Sequence, residues 1–148
     1  MIAETMADEI GADIIELKTT KKLANSKGMM KYIWGGMKAM MKSEPDLQKI
    51  DKEISDYDLL IIGTPIWAWT VAPPIRTFLK KSTLKNKQLA FFCCSGGDKG
   101  KVFSEMASLS NGAEILGERD FIEPLRHNKT EQVKSARNWA QDILKGVQ

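Results

Sequence analysis

The sequence is poor in the residues that build metal sites and disulfides. Histidine occurs once, at His127, and the two cysteines are adjacent, Cys93-Cys94. Neighbouring side chains on a strand point to opposite faces, so this pair suits neither a shared metal nor a disulfide. Both read as buried strand residues, and the lack of a spaced Cys/His cluster argues against zinc. No apolar run approaches the roughly 20 residues that a membrane-spanning helix requires. The opening residues, Met1-Ile2-Ala3-Glu4, carry an acid early and lack the basic-then-apolar pattern of a secretory signal, so a cytoplasmic protein is expected. Charge of one sign is not concentrated either. The net charge is +3 and the pI is near 8.8. The lysines (Lys21, Lys22, Lys80, Lys81, Lys85, Lys87) are scattered, which suits solvated helix faces and loops better than a nucleic-acid surface. There is no internal repeat, low-complexity tract or evident linker.

What the sequence does contain is a regular alternation of helical stripes and short apolar runs. Its 148 residues, 43% apolar and 28% charged, suffice for one globular domain with a substantial core. Ile2, Met6 and Ile10 recur at helical spacing, Gly11 supplies a stop, and no Ser, Thr, Asp or Asn cap precedes Ile2. Asp13-Ile-Ile-Glu-Leu17 reads as a short strand, and Asn25-Ser26-Lys27-Gly28 as a loop. From Met29 to Lys42 a stripe of Met30, Ile33, Met37 and Met41 predicts a helix, weakened by Gly35-Gly36 at about 1 kcal/mol each. Its methionines read as core packing.

Tyr57–Ile62 and Leu89–Cys94 are continuous apolar runs of the kind that form strands covered on both faces. Pro73-Pro74 opens a helix whose Ile75, Phe78 and Leu79 face inward. A helix over about Lys99–Ser110 uses Val102, Phe103, Met106 and Leu109, and residues 113–123 contain another strand. Asn128 and Glu131 form a capping pair for a last helix carried by Val133, Ala136, Ala140, Ile143 and Val147. Helix and strand alternating in this way predict an α/β fold with a parallel sheet.

Ligands of open parallel sheets bind beyond the carboxyl ends of the strands. Two loops occupy that place. Gly63-Thr64-Pro65-Ile66-Trp67-Ala68-Trp69-Thr70 carries two tryptophans, which either plug the end of the core or offer flat faces to a planar ligand. Ser95-Gly96-Gly97-Asp98-Lys99-Gly100 is small enough for close backbone approach, although its glycine spacing is not that of a dinucleotide fingerprint.

At these residues the chain resembles a known family. Asp58-Leu-Leu-Ile-Ile-Gly-Thr-Pro-Ile-Trp-Ala-Trp69, followed by Ala72-Pro-Pro-Ile-Arg-Thr-Phe78, is similar to the second flavin-binding loop of bacterial flavodoxins. Phe91–Gly97 looks like that family's third loop, and Lys31-Tyr-Ile-Trp-Gly-Gly36 resembles a segment of one subgroup. The resemblance covers the whole of residues 1–148 as one domain. It implies a flavodoxin-like three-layer α/β/α sandwich with a parallel sheet of order 2-1-3-4-5, and FMN at the strand ends. Carried over by position, Pro65, Ile66, Trp67, Ala68 and Trp69 would wall the isoalloxazine, Ser95, Gly96 and Gly97 would meet its pyrimidine edge through their backbone, and Thr64 would join them as a cofactor-binding residue. Family members begin with a strand and a Ser/Thr-x-Thr-Gly-x-Thr phosphate loop, whereas here Met1 falls at the first helix. The first strand and phosphate loop are therefore expected to be missing, as in an N-terminally truncated domain, leaving two strand edges unpaired in the core.

The resemblance implies an FMN-binding protein in electron transfer, in which the flavin performs the redox chemistry. No side chain presents itself as a proton-transfer catalyst, and His127 reads as a surface residue. Two other functions stay open: a flavin-dependent NAD(P)H:quinone-type reductase, slightly favoured by the basic pI, and a flavin-free binding module or truncated remnant. The expected partner is a redox protein or small electron acceptor, with no role for nucleic acid or membrane and with oligomerisation left open.

Overall fold

The computed structural model describes residues 1–20 and 42–147. The methionine-striped helix, the Asn25–Gly28 loop and the Lys31–Gly36 segment expected from the sequence fall on residues outside that range. Four helices and four strands are described: α1 (Ile2–Ile10), β1 (Leu59–Trp67), β2 (Thr70–Val71), α2 (Pro73–Lys81), β3 (Gln88–Ser95), α3 (Val102–Leu109), β4 (Glu114–Ile122) and α4 (Lys129–Lys145). The sheet order is β2-β1-β3-β4. β1, β3 and β4 run parallel, while β2 turns back on the end of β1 through Ile66↔Val71 and Trp67↔Thr70.

The layers follow from alternation along β3. Leu89, Phe91 and Cys93 point to one face, where Phe78 and Leu79 of α2 and Val102, Phe103 and Met106 of α3 close over them. Phe92 and Cys94 point to the other, toward Ile2 and Met6 of α1 and Ala136 and Ala140 of α4. The adjacent cysteines thus enter opposite cores, as a strand requires. Burial raises both thiols above their ordinary range, with the Asp120 carboxylate adding to the effect, so they stay protonated and inert. The small Ala136 and Ala140 let α4 approach the Phe92 and Phe121 rings, which meet edge to face at 6.1 Å. This is the α/β architecture with a parallel sheet that the alternating pattern predicts, and it fits the flavodoxin-like sandwich that the resemblance implies.

Helix termini explain most boundaries. Gly11 adopts φ 66° and donates the turn that ends α1, with Ala12 N–H bonded to Ala7 O at 2.9 Å. The chain's amino group lies against Glu4, whose carboxyl is held low by that contact. Pro73 and Pro74 fill the first turn of α2, where a missing N–H costs no hydrogen bond. The expected Asn128 cap is not formed. Asn128 stands at the start of α4 in the left-handed region (φ 47°), and its side chain makes no capping bond.

Residues 13–17 also depart from expectation. They form no strand, and their backbone bonds to no other described segment. The chain instead pairs slightly later, in an isolated antiparallel bridge of Thr19 with Leu47. Asp13 is tied down by its side chain, through Lys52 Nζ at 3.0 Å and Tyr57 Oη at 2.5 Å. Between this segment and the outer edge of β1 is an apolar cavity of about 730 Å³, bounded by Met6 and Ile10 of α1, Leu60 and Ile62 of β1, and Ile75 and Phe78 of α2. β1 has a strand partner on that side only at its last two residues.

Candidate functional site

Both loops singled out in the sequence emerge at the carboxyl end of the parallel strands. The first is a tight hairpin. Only Ala68 and Trp69 separate the paired residues Trp67 and Thr70, and both have positive φ, 49° and 59°. Positive φ at both central positions is the type I′ pattern, which normally selects Asn-Gly. Placing an alanine and a tryptophan there costs on the order of 1–2 kcal/mol per residue. The consequence is a tryptophan held at the tip of a rigid turn, 66% exposed. Trp67, one pleat back, is half-buried and borders the apolar cavity.

The second loop is opened by Ser95, buried at the end of β3. Its hydroxyl donates to Asp120 Oδ2 at 3.0 Å and accepts from Gly97 N–H at 3.3 Å. Its carbonyl accepts from Glu123 N–H at 2.9 Å. Gly96 and Gly97 face open space, and a side chain at either would meet nothing within 4 Å. Among the described residues nothing accepts from the Gly96 N–H. Asp98 Oδ1 accepts from Gly100 N–H at 2.8 Å, curling the loop back. Gly100 (φ 55°) then touches the first loop, since a Cβ there would lie 3.0 Å from the Trp69 carbonyl oxygen. The two loops therefore form one continuous rim.

Thr64 has a different place from its neighbours. It is buried, its hydroxyl donates to Pro65 O at 2.9 Å, and it accepts from Ala72 N–H at 3.1 Å, closing the base of the first loop. Pro65 is exposed, and Ile66 and Ala68 are partly covered. His127 is exposed on the segment before α4, with Nε2 2.8 Å from Glu123 Oε2. One group at the site was not evident from the sequence. Glu105 of α3 and Arg76 of α2 form an ion pair beneath the aromatic turn. They stand 29 residues apart on two different helices, so no local pattern joins them.

The rim can hold a flat, partly apolar ligand. An indole face and an open glycine backbone sit side by side, with an unpaired N–H and buried anchors below. The chain belongs to the flavodoxin family: the family model described as Flavodoxin matches residues 1–111. Among solved structures, a flavoprotein from Lactobacillus acidophilus in complex with FMN is similar at 24% identity and TM-score 0.66, covering 86% of this chain and 87% of that one. A structure assigned as a flavoprotein from Bacteroides eggerthii is 22% identical with TM-score 0.75, covering 97% and 88%. A flavone reductase aligns at 17% identity and TM-score 0.56, over 99% of this chain and 56% of that one. A comparison with curated proteins returns no match. Among the described residues no helix is long and apolar enough to cross a membrane.

Proposed function

We propose that this chain binds FMN at the rim formed by its two loops and passes electrons to a redox partner or small acceptor. The observation that carries the reading is the convergence of the exposed Trp69 turn with the open Ser95–Gly97 backbone, brought into contact at Gly100. Residues 65–69 would wall the isoalloxazine, with Trp69 as the free aromatic face and Thr64 holding the wall from below. Ser95, Gly96 and Gly97 would offer backbone donors to the polar ring edge, with the free Gly96 N–H foremost. The flavin, when bound, supplies the one- and two-electron chemistry. The protein's part is to orient the ring, exclude water from one face and keep the anchoring bonds fixed.

The test is the visible spectrum of the purified chain, titrated with FMN and, in parallel, with riboflavin. Bound flavin bands are expected, together with quenched flavin fluorescence. Trp69→Ala should weaken binding about tenfold, the scale of one lost aromatic contact of about 1–1.5 kcal/mol, while leaving the thermal midpoint nearly unchanged. A chain that takes up neither compound would overturn the reading. The basic pI of 8.8 favours a second reading, a flavin-dependent reductase. Steady oxidation of NADH or NADPH with a quinone by the flavin-loaded chain would establish it.

A further inference from the structure

The aromatic turn needs something to hold it. Two non-glycine residues in the left-handed region keep that geometry only where their surroundings over-determine it. The surroundings here are polar and partly buried, with Arg76 covered and Glu105 and Thr70 half-buried. Glu105 Oε2 accepts from the Thr70 hydroxyl and, at 3.4 Å, from Val71 N–H. Its other oxygen pairs with Arg76 Nη1. Arg76 Nη2 returns to Thr70 Oγ1 at 3.0 Å and to Val71 O at 3.5 Å. Every one of these bonds ends on the two residues that follow the turn or on the ion pair itself.

The chemistry of the pair supports a specific purpose. Arg76 is only 3% exposed, and its Nε is buried without a partner. A guanidinium placed this way gains little stability over an apolar side chain, since desolvation offsets most of the attraction. What it does provide is direction. Its planar fork fixes the positions of Thr70, Val71 and Glu105 relative to one another. The three elements involved are also informative: β2 leaves the turn, α2 follows the first loop and α3 follows the second.

We infer that Glu105 is a positioning residue that, through Thr70 and Arg76, locks the Ala68–Trp69 turn in its left-handed form and registers the aromatic loop against the glycine loop. Trp69 is thereby presented at a fixed angle to any ring seated on the rim. The lock itself is independent of what the rim binds. Only its consequence for flavin rests on the function proposed above.

The experiment uses the full chain labelled with 5-fluorotryptophan and read by fluorine NMR. Trp69→Phe and Trp139→Phe assign two resonances, one at the turn and one on α4, away from it. In Glu105→Gln the Trp69 signal should broaden or split while the Trp139 signal stays, and FMN should bind about tenfold more weakly. Thr70→Val removes the hydroxyl bridge but keeps the ion pair, and should produce the same selective change. It also carries the test if Glu105→Gln fails to fold. A Trp69 resonance unaltered in folded Thr70→Val or Glu105→Gln would overturn the lock. Trp69 and Trp139 moving together would overturn it too, by showing a general loosening. A selective Trp69 change in a chain that takes up no flavin would keep the lock and remove the flavin reading.

Discussion

Glu105 illustrates how single side chains are tuned by opposing influences at this site. Burial pushes its carboxyl up, but hydrogen bonds from Thr70, the Arg76 guanidinium and Val71 N–H outweigh that and hold it below the ordinary value of 4.5. A carboxyl lowered in the folded state adds stability above its unfolded value and loses it as the pH falls through the lowered one. The thermal midpoint of wild type should therefore exceed that of Glu105→Gln at pH 7, and the gap should close as the pH drops below about 4. A gap constant from pH 7 to pH 3 would mean that the charge contributes nothing. Gly63 offers a second prediction at this scale. It lies opposite Phe92 in register, and a Cβ there would fall 2.0 Å from that ring. Gly63→Ala should cost about 1–3 kcal/mol by overpacking, lowering the midpoint by roughly 2–4 °C for each kcal/mol. Calorimetry would decide. An unchanged midpoint would show that the ring escapes into the cavity it borders.

At the scale of elements, most of the molecule could be read in advance, and the exceptions have physical causes. The apolar runs announce β1 and β3, of which β3 is the buried one and β1 is largely half-covered. β4 carries Glu118, Arg119 and Asp120, is mostly exposed or half-covered, and falls where a strand within residues 113–123 is expected. α1, α2 and α4 form where helical spacing, and for α2 the proline pair, indicate. The segment at 13–17 has the composition of a strand, yet strand formation needs a partner, and composition does not report whether one is within reach. β2 was not anticipated, since Trp-Ala-Trp-Thr carries none of the Asn-Gly chemistry that marks a two-residue hairpin. Asn128 shows the reverse: the capping signature is present, but a left-handed backbone turns the side chain away from its bond. In the candidate site, the loops were legible because their position follows from topology. The Arg76–Glu105 pair was not, because it exists only after two helices pack. A further element-level prediction concerns the glycine rim. Gly96→Ala meets no obstruction and should leave stability nearly intact. It should weaken flavin binding if the ring edge lies on that backbone, as parallel melting and titration curves would reveal.

At the largest scale, the described residues form two apolar cores separated by the parallel strands β1, β3 and β4, with an aromatic and glycine rim at one end and a cavity of about 730 Å³ along the flank of β1. The hollow is partly open to solvent, and several of its apolar walls, Ile14, Leu59, Leu60 and Ile61 among them, are only partly covered. Its consequence lies in heat capacity. Apolar surface that is already wet in the native state adds nothing to the heat-capacity change when the chain unfolds. That change should therefore fall toward or below the low end of the usual range of about 12–15 cal/mol/K per residue, as calorimetry would measure. A value above that range would mean that the hollow is closed in solution.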